Sequence, residues 1–197
     1  MSVFLPALSR AKEQTRQTVC MSNLHQIYLA NRGYATENNG FYVIAAEDIL
    51  GSNLHRWHGT RTNVNESFDP AKGPLSSFVA GGKVKRCPAF RKYYDRAGQT
   101  ASNFEAGCGG YGYNDQYIGG RSDLCGFDSS GSEISARDSE IKSPALTVMF
   151  TDTAFRQVLS DGQTVFIEYS FAHPPFWPWY LASPGSYPST ITGRPSP

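Results

Sequence analysis

From residue 4 to about 37 the chain places apolar side chains at helical rather than alternating spacing: Phe4, Leu8 and Ala11, then Val19, Leu24, Ile27, Tyr28 and Tyr34. Proline occurs only at Pro6, where a first helical turn tolerates it, and no glycine interrupts the segment before Gly33. Arg10, Lys12, Glu13, Gln14, Arg16 and Gln17 make the first half polar around most of its circumference. The second half, Cys20 to Tyr34, is more apolar and needs a surface to pack on. Asn38-Asn39-Gly40 is a strong stop signal. The pattern predicts one long helix, half exposed and half docked.

Beyond residue 40 the signals are short. Phe41-Tyr42-Val43-Ile44 reads as strand, Leu54 to His58 as a short strand, and Leu75 to Val79 as a brief helix stopped by Gly81-Gly82. Tyr111-Gly-Tyr113-Asn114 is strand-like. Ser, Gly and Asp between Gly119 and Lys142 predict a long surface loop. Ala145 to Phe150 is the clearest buried strand on pattern, with Thr164 to Tyr169 paired to it through a turn at Ser160-Asp161-Gly162. Seven prolines between His173 and Pro197 leave no room for a regular element. The division expected is therefore a helix over 1–37, a globular β-rich part over 38–172 and a Pro/aromatic tail over 173–197.

Composition narrows the function classes. The 197 residues carry 18 Lys+Arg and 17 Asp+Glu, so no global field draws the chain to nucleic acid. The cations Lys83, Lys85, Arg86, Arg91, Lys92 and Arg96 cluster, but no nucleic-acid-binding motif accompanies them. Twelve Phe, 11 Tyr and 3 Trp supply more aromatic area than a solvated chain carries, which argues against disorder. Charge is unevenly spread: residues 1–99 hold 13 basic and 7 acidic side chains (+6), and residues 100–197 hold 5 and 10 (−5). No apolar run approaches the roughly 18 residues of a membrane span.

Chemistry-bearing groups are few. Cys20, Cys87, Cys108 and Cys125 contain no C-x-x-C pair, which disfavours zinc; an even count suits two disulfides, or four reduced thiols in a reducing compartment. His55 and His58 lack metal-binding spacing and, in a strand, point to opposite faces. Gly107-Cys-Gly-Gly-Tyr-Gly112 lacks the strand–helix frame of a phosphate cradle and reads as tight backbone packing. Asp128 to Glu133 only loosely matches a calcium loop. Nothing nominates a nucleophile with its base, so no enzyme and no cofactor is expected, calcium alone being conceivable.

The order of small signatures says more. Phe4-Leu-Pro-Ala-Leu-Ser-Arg-Ala-Lys12 is followed by Val19-Cys-Met-Ser-Asn-Leu-His-Gln26 and Tyr34-Ala-Thr-Glu-Asn-Asn-Gly-Phe-Tyr42. Later come Gly73-Pro-Leu-Ser-Ser-Phe78 leading to Arg86-Cys87-Pro88, Tyr111-Gly-Tyr-Asn114, and Ile141 to Asp152. This series resembles bacterial pseudopilin-like proteins with a prepilin-type N-terminal cleavage/methylation segment. The resemblance is strong over 4–42, moderate over 73–152 and weak beyond about 155. Two departures stand out: the family's apolar anchor would precede Met1, and its usual C-terminal His-x9-Asp-Gly pattern is not matched from His173.

The resemblance implies an α+β, pilin-like fold: a long N-terminal helix packed on a small antiparallel sheet with long loops. It implies a structural subunit of a type II secretion or type IV pilus-type filament. Such a subunit sits in the cell envelope, anchored in the inner membrane with its globular part periplasmic or extracellular, and is soluble without the anchor. Partners would be other pilin-like subunits, met through Leu5, Pro6, Leu8, Ala11, Thr15 and Val19. Disulfides Cys20–Cys87 and Cys108–Cys125 are expected on the same basis. The charge asymmetry would then help set register between successive subunits. The rival is an envelope adhesin or glycan reader with Trp57, Trp177 and Trp179 as an aromatic platform; a more remote one is a hydrolase using His55, His58 or His173 with an aspartate.

Overall fold

A computed structural model describes residues 4–90, 104–121, 124 and 129–173. Helix α1 runs Phe4–Glu37, 34 residues, about 51 Å at 1.5 Å per residue. It ends where the sequence says it must. Asn39 and Gly40 take left-handed backbone angles, and the Gly40 N–H returns to the Ala35 carbonyl at 2.8 Å, satisfying an end carbonyl of the helix.

The rest is three small antiparallel pairs joined by turns. β1 (His55–Arg56) pairs with β2 (Gly59–Thr60), β3 (Tyr111–Tyr113) with β4 (Phe150–Asp152), and β5 (Phe155–Val158) with β6 (Thr164–Ile167). On its other side β3 meets the segment 170–172 through a parallel bridge from Tyr113 to Phe171, so β3 is flanked on both edges. The architecture is α+β, one long N-terminal helix with small antiparallel sheets, consistent with a pilin-like arrangement.

The main core joins the second half of α1 to these pairs. Cys20, Ile27, Ala30 and Ala35 of the helix pack with Val43, Trp57, Leu75, Tyr111, Tyr113, Ile118 and Phe171. Trp57, Tyr111 and Tyr113 are fully enclosed, and each uses its polar atom: Trp57 Nε1 donates to the Ser170 carbonyl at 2.8 Å.

Several local expectations are corrected. Ala145 to Phe150 is not a buried strand: Pro144–Leu146 forms a 3₁₀ turn, Leu146 is 86% exposed, and only Phe150 enters β4. Proline at the first position of that turn pre-sets it, and the Leu146 N–H closes it onto the Ser143 carbonyl. Residues 164–167 pair with 155–158, not with that segment, because the turn at 159–163 is short enough to make a hairpin of its immediate neighbours. Phe41 makes one bridge, to Arg137, rather than a strand. The 119–142 stretch is not all surface, since Ser135 and Ala136 are buried and Ala136 bonds to both Tyr42 and Ile118.

Candidate functional site: the projecting helix and its joint

Along α1 the exposure changes abruptly at Cys20. Pro6, Leu8, Ala11, Thr15 and Val19 are all exposed, Leu8 by 54% and Val19 by 43%, and of the residues from 6 to 19 only Glu13 is even partly covered. The side chain of Leu5 lies outside the described residues. At 100° per residue, Leu8, Ala11, Thr15 and Val19 fall within an arc of about 80°, an unpartnered stripe on one side of the helix. Thr15 and Thr18 turn their hydroxyls back onto the carbonyls of Ala11 and Gln14, so neither reaches out for a partner within the chain.

At the joint, Cys20 is disulfide-bonded to Cys87, 67 positions further along the chain. The Cys87 N–H donates to the Gly109 carbonyl, which ties that loop to the start of β3. One turn further along the helix, Asn23 Nδ2 donates to the Tyr111 hydroxyl at 2.9 Å; two turns beyond that, Asn31 Nδ2 donates to the Tyr113 hydroxyl at 3.0 Å. Burial drives the acidities of both tyrosine hydroxyls far down, that is, their pKa values up beyond the ordinary phenol range. They remain neutral donors and acceptors at any physiological pH. The polar residues Asn23 and Asn31 thus lie on the core face of the helix, where an apolar-only search overlooks them; the signal was the pair of Asn residues eight apart on the docked face.

Gly107 to Gly112 is a nest for an internal anion. Gly107, Gly109 and Gly110 all have positive φ, and the N–H groups of Gly107 and Gly109 donate to one oxygen of Glu168 at 2.7 and 3.2 Å. Arg86 Nε donates to the other oxygen of the enclosed carboxylate. A Cβ on Gly109 would come within 2.9 Å of the Lys85 carbonyl oxygen, so the backbone itself is packed there. Tight packing is the right reading of this motif.

The expected Cys108–Cys125 bridge involves a residue outside the described ones. Cys108 is a buried free thiol whose Sγ points at Glu168 Oε2, 3.8 Å away; Cys125 lies outside the described residues. Burial, and then the Glu168 charge, push the thiol pKa well above its ordinary value, which makes it an inert group.

The residues of the rival readings are dispersed. His55 is exposed and hydrogen-bonded to Asp48, whereas His58 is fully buried, so they do not converge. His58 is wedged between Trp57 and Phe68 with both ring nitrogens unpartnered, and burial, helped by the Arg56 charge, lowers its pKa to about 3. His173 bridges the Tyr169 hydroxyl and Asp115 at 2.9 and 3.3 Å. No Ser, Thr or Cys is hydrogen-bonded to a histidine among the described residues. Trp57 is a core residue and offers no face to a glycan; Trp177 and Trp179 lie outside the described residues. Of the oxygen-rich 128–133 stretch, the side chains of Asp128, Ser129 and Ser130 lie outside the described residues.

A further surface flanks the docked half of α1. Met21, His25 and Tyr28 on the helix face Pro144, Val148 and Met149 across an open groove of about 490 Å³. No helix among the described residues is long and apolar enough to cross a membrane. Compared with protein-family models, curated proteins and solved structures, the chain gives no match.

Proposed function

We propose that this chain is a structural, non-catalytic subunit of an envelope filament of the type II secretion or type IV pilus class, working through the first half of α1. One observation carries the reading: the helix is bare from Pro6 to Val19 and locked into the core from Cys20 onward. Fourteen residues of helix are marginal alone in water, and propagation from the docked half does not account for an apolar stripe left open on it. A stripe on a rigidly mounted rod is suited to packing against equivalent rods of neighbouring subunits. The resemblance noted in the sequence points the same way. Its separate signatures converge here: Cys20 on Cys87, Asn23 on Tyr111, and Asn114 on Val148 and Met149.

The test is a photo-crosslinking amino acid placed at Ala11, with Val64 on an exposed loop as the control, in cells expressing the chain. Crosslinks from position 11 to another copy or to a second helical envelope subunit are expected, with none from position 64. Equal crosslinking from both positions, or none from either, rejects the reading.

A further inference from the structure

Three elements bring sulfur and oxygen together at the joint. Cys20 comes from α1, Cys87 from the loop before β3, and Asp152 from the end of β4. One carboxylate oxygen and both sulfurs lie within 4.8 Å of one another. Asp152 is placed by register: it stands opposite Tyr111, whose hydroxyl reaches the helix at Asn23, so both side chains lie on the helix-facing side of the sheet.

No hydrogen-bond donor and no cation among the described residues reaches the Asp152 carboxylate. Asp152 is itself exposed on its outer side, which leaves a way in for a small ion.

We propose that the reduced chain binds a thiophilic divalent cation of the zinc class through Cys20 Sγ, Cys87 Sγ and an Asp152 oxygen, with water in the fourth position. A dithiol reductant delivers two electrons and two protons to the Cys20–Cys87 bond and closes to its own cyclic disulfide. The cation then displaces the two thiol protons, which leave to solvent. Zinc–sulfur bonds of about 2.3 Å in a tetrahedral site set the two thiolates about 3.8 Å apart, a span that the freed side chains reach by rotation. Two thiolates and one carboxylate with one open position form a donor set that zinc-class ions accept and that calcium and magnesium do not favour. The joint of the helix therefore has two alternative staples, a covalent one under oxidising conditions and a metal one under reducing conditions. The proposal does not depend on the filament reading.

Cobalt(II) is the probe, because thiolate ligation gives it an intense sulfur-to-metal absorption. The full chain is reduced with dithiothreitol, freed of reductant without air, and titrated. One equivalent is expected to saturate the band in the reduced chain and to give none in the oxidised chain. Zinc should bleach it. Asp152→Asn should weaken binding at least tenfold while the oxidised variant unfolds thermally like the parent, and Cys87→Ser should abolish the band. A Cys108→Ala/Cys125→Ser variant should keep it. No band, a band unchanged in Asp152→Asn, or one that persists in Cys87→Ser overturns the proposal. Should reduction unfold the chain, cobalt must restore the helical circular dichroism; failure to do so also overturns it.

Discussion

Asn31 and Tyr113, 82 residues apart, close a buried ring of hydrogen bonds with the backbone of Val43. Asn31 Nδ2 donates to the tyrosine hydroxyl at 3.0 Å, the hydroxyl donates to the Val43 carbonyl at 3.0 Å, and the Val43 N–H donates to Asn31 Oδ1 at 3.0 Å. Helix, strand and the chain after the helix are thereby locked in one register. Tyr113→Phe removes one hydroxyl and strands two buried partners, so it should cost about 1–3 kcal/mol in urea unfolding. Asn31→Ala and the double variant should show coupling of about 0.5–3 kcal/mol. Additive effects would mean that the ring is not a unit.

The disulfide at the joint should matter more. With Cys20 and Cys87 separated by 67 positions, loop-closure entropy assigns it about 4 kcal/mol. A Cys20→Ser/Cys87→Ser variant, unfolded in denaturant beside the oxidised parent, should fall short by roughly that amount. A difference under 1 kcal/mol would show that the core alone fixes the helix.

His58 predicts an acid limb. Its folded pKa is about 3, while an unfolded histidine titrates near 6.5. The unfolded state therefore binds the extra proton first, and native stability falls as pH drops from about 6.5 toward 3. At pH 5 the loss from this one group is about 2 kcal/mol, at about 1.4 kcal/mol per pH unit. His58→Phe should flatten that slope in chemical denaturation between pH 6.5 and 5, whatever its absolute stability. An unchanged slope would mean that the imidazole is protonated in place.

The projecting half of α1 should behave differently from the docked half. Trypsin should cut first at Arg10, Lys12 or Arg16, with Arg32 protected while the fold lasts, since Arg32 bonds Tyr42 and pairs with Asp138. Amide exchange should be fast over 6–19 and slow over 23–35. Leu8→Glu should leave thermal unfolding unchanged, because an exposed substitution costs within about 0.5 kcal/mol, yet reduce self-association in sedimentation. Protection over 6–19 in the dilute chain would contradict the described exposure.

The helix and its division were legible because spacing, proline position and the Asn-Asn-Gly stop all agree on them. Apolarity misled at 145–150: Leu146 and Val148 are apolar yet exposed among the described residues, and a run of apolar residues records a capacity for burial rather than its occurrence. Strand partners were equally hidden, since β3 is paired by residues 37 or more positions later and no local signal carries that. The joint was half legible. Cysteine positions were in view, but Asp152 reads as a turn former until β4 is registered against Tyr111. The glycine cluster reads as backbone packing from its residues alone, while the anion it encloses comes from Glu168, 61 positions after Gly107 and tied to it by no local signal.

Glu168 sets a timetable. The Gly107 N–H waits for an acceptor 61 residues downstream, and Gly109 and Arg86 wait for the same carboxylate. At about 5–20 residues per second, a nascent chain spends roughly 3–12 s with that loop made and its anion not yet synthesised. For most of this interval β3 also lacks β4, and its other neighbour, 170–172, follows Glu168, while the docked helix has long since emerged. A chain built this way matures late and all at once, so the stretch from 20 to 113 is the part in need of shelter while translation continues.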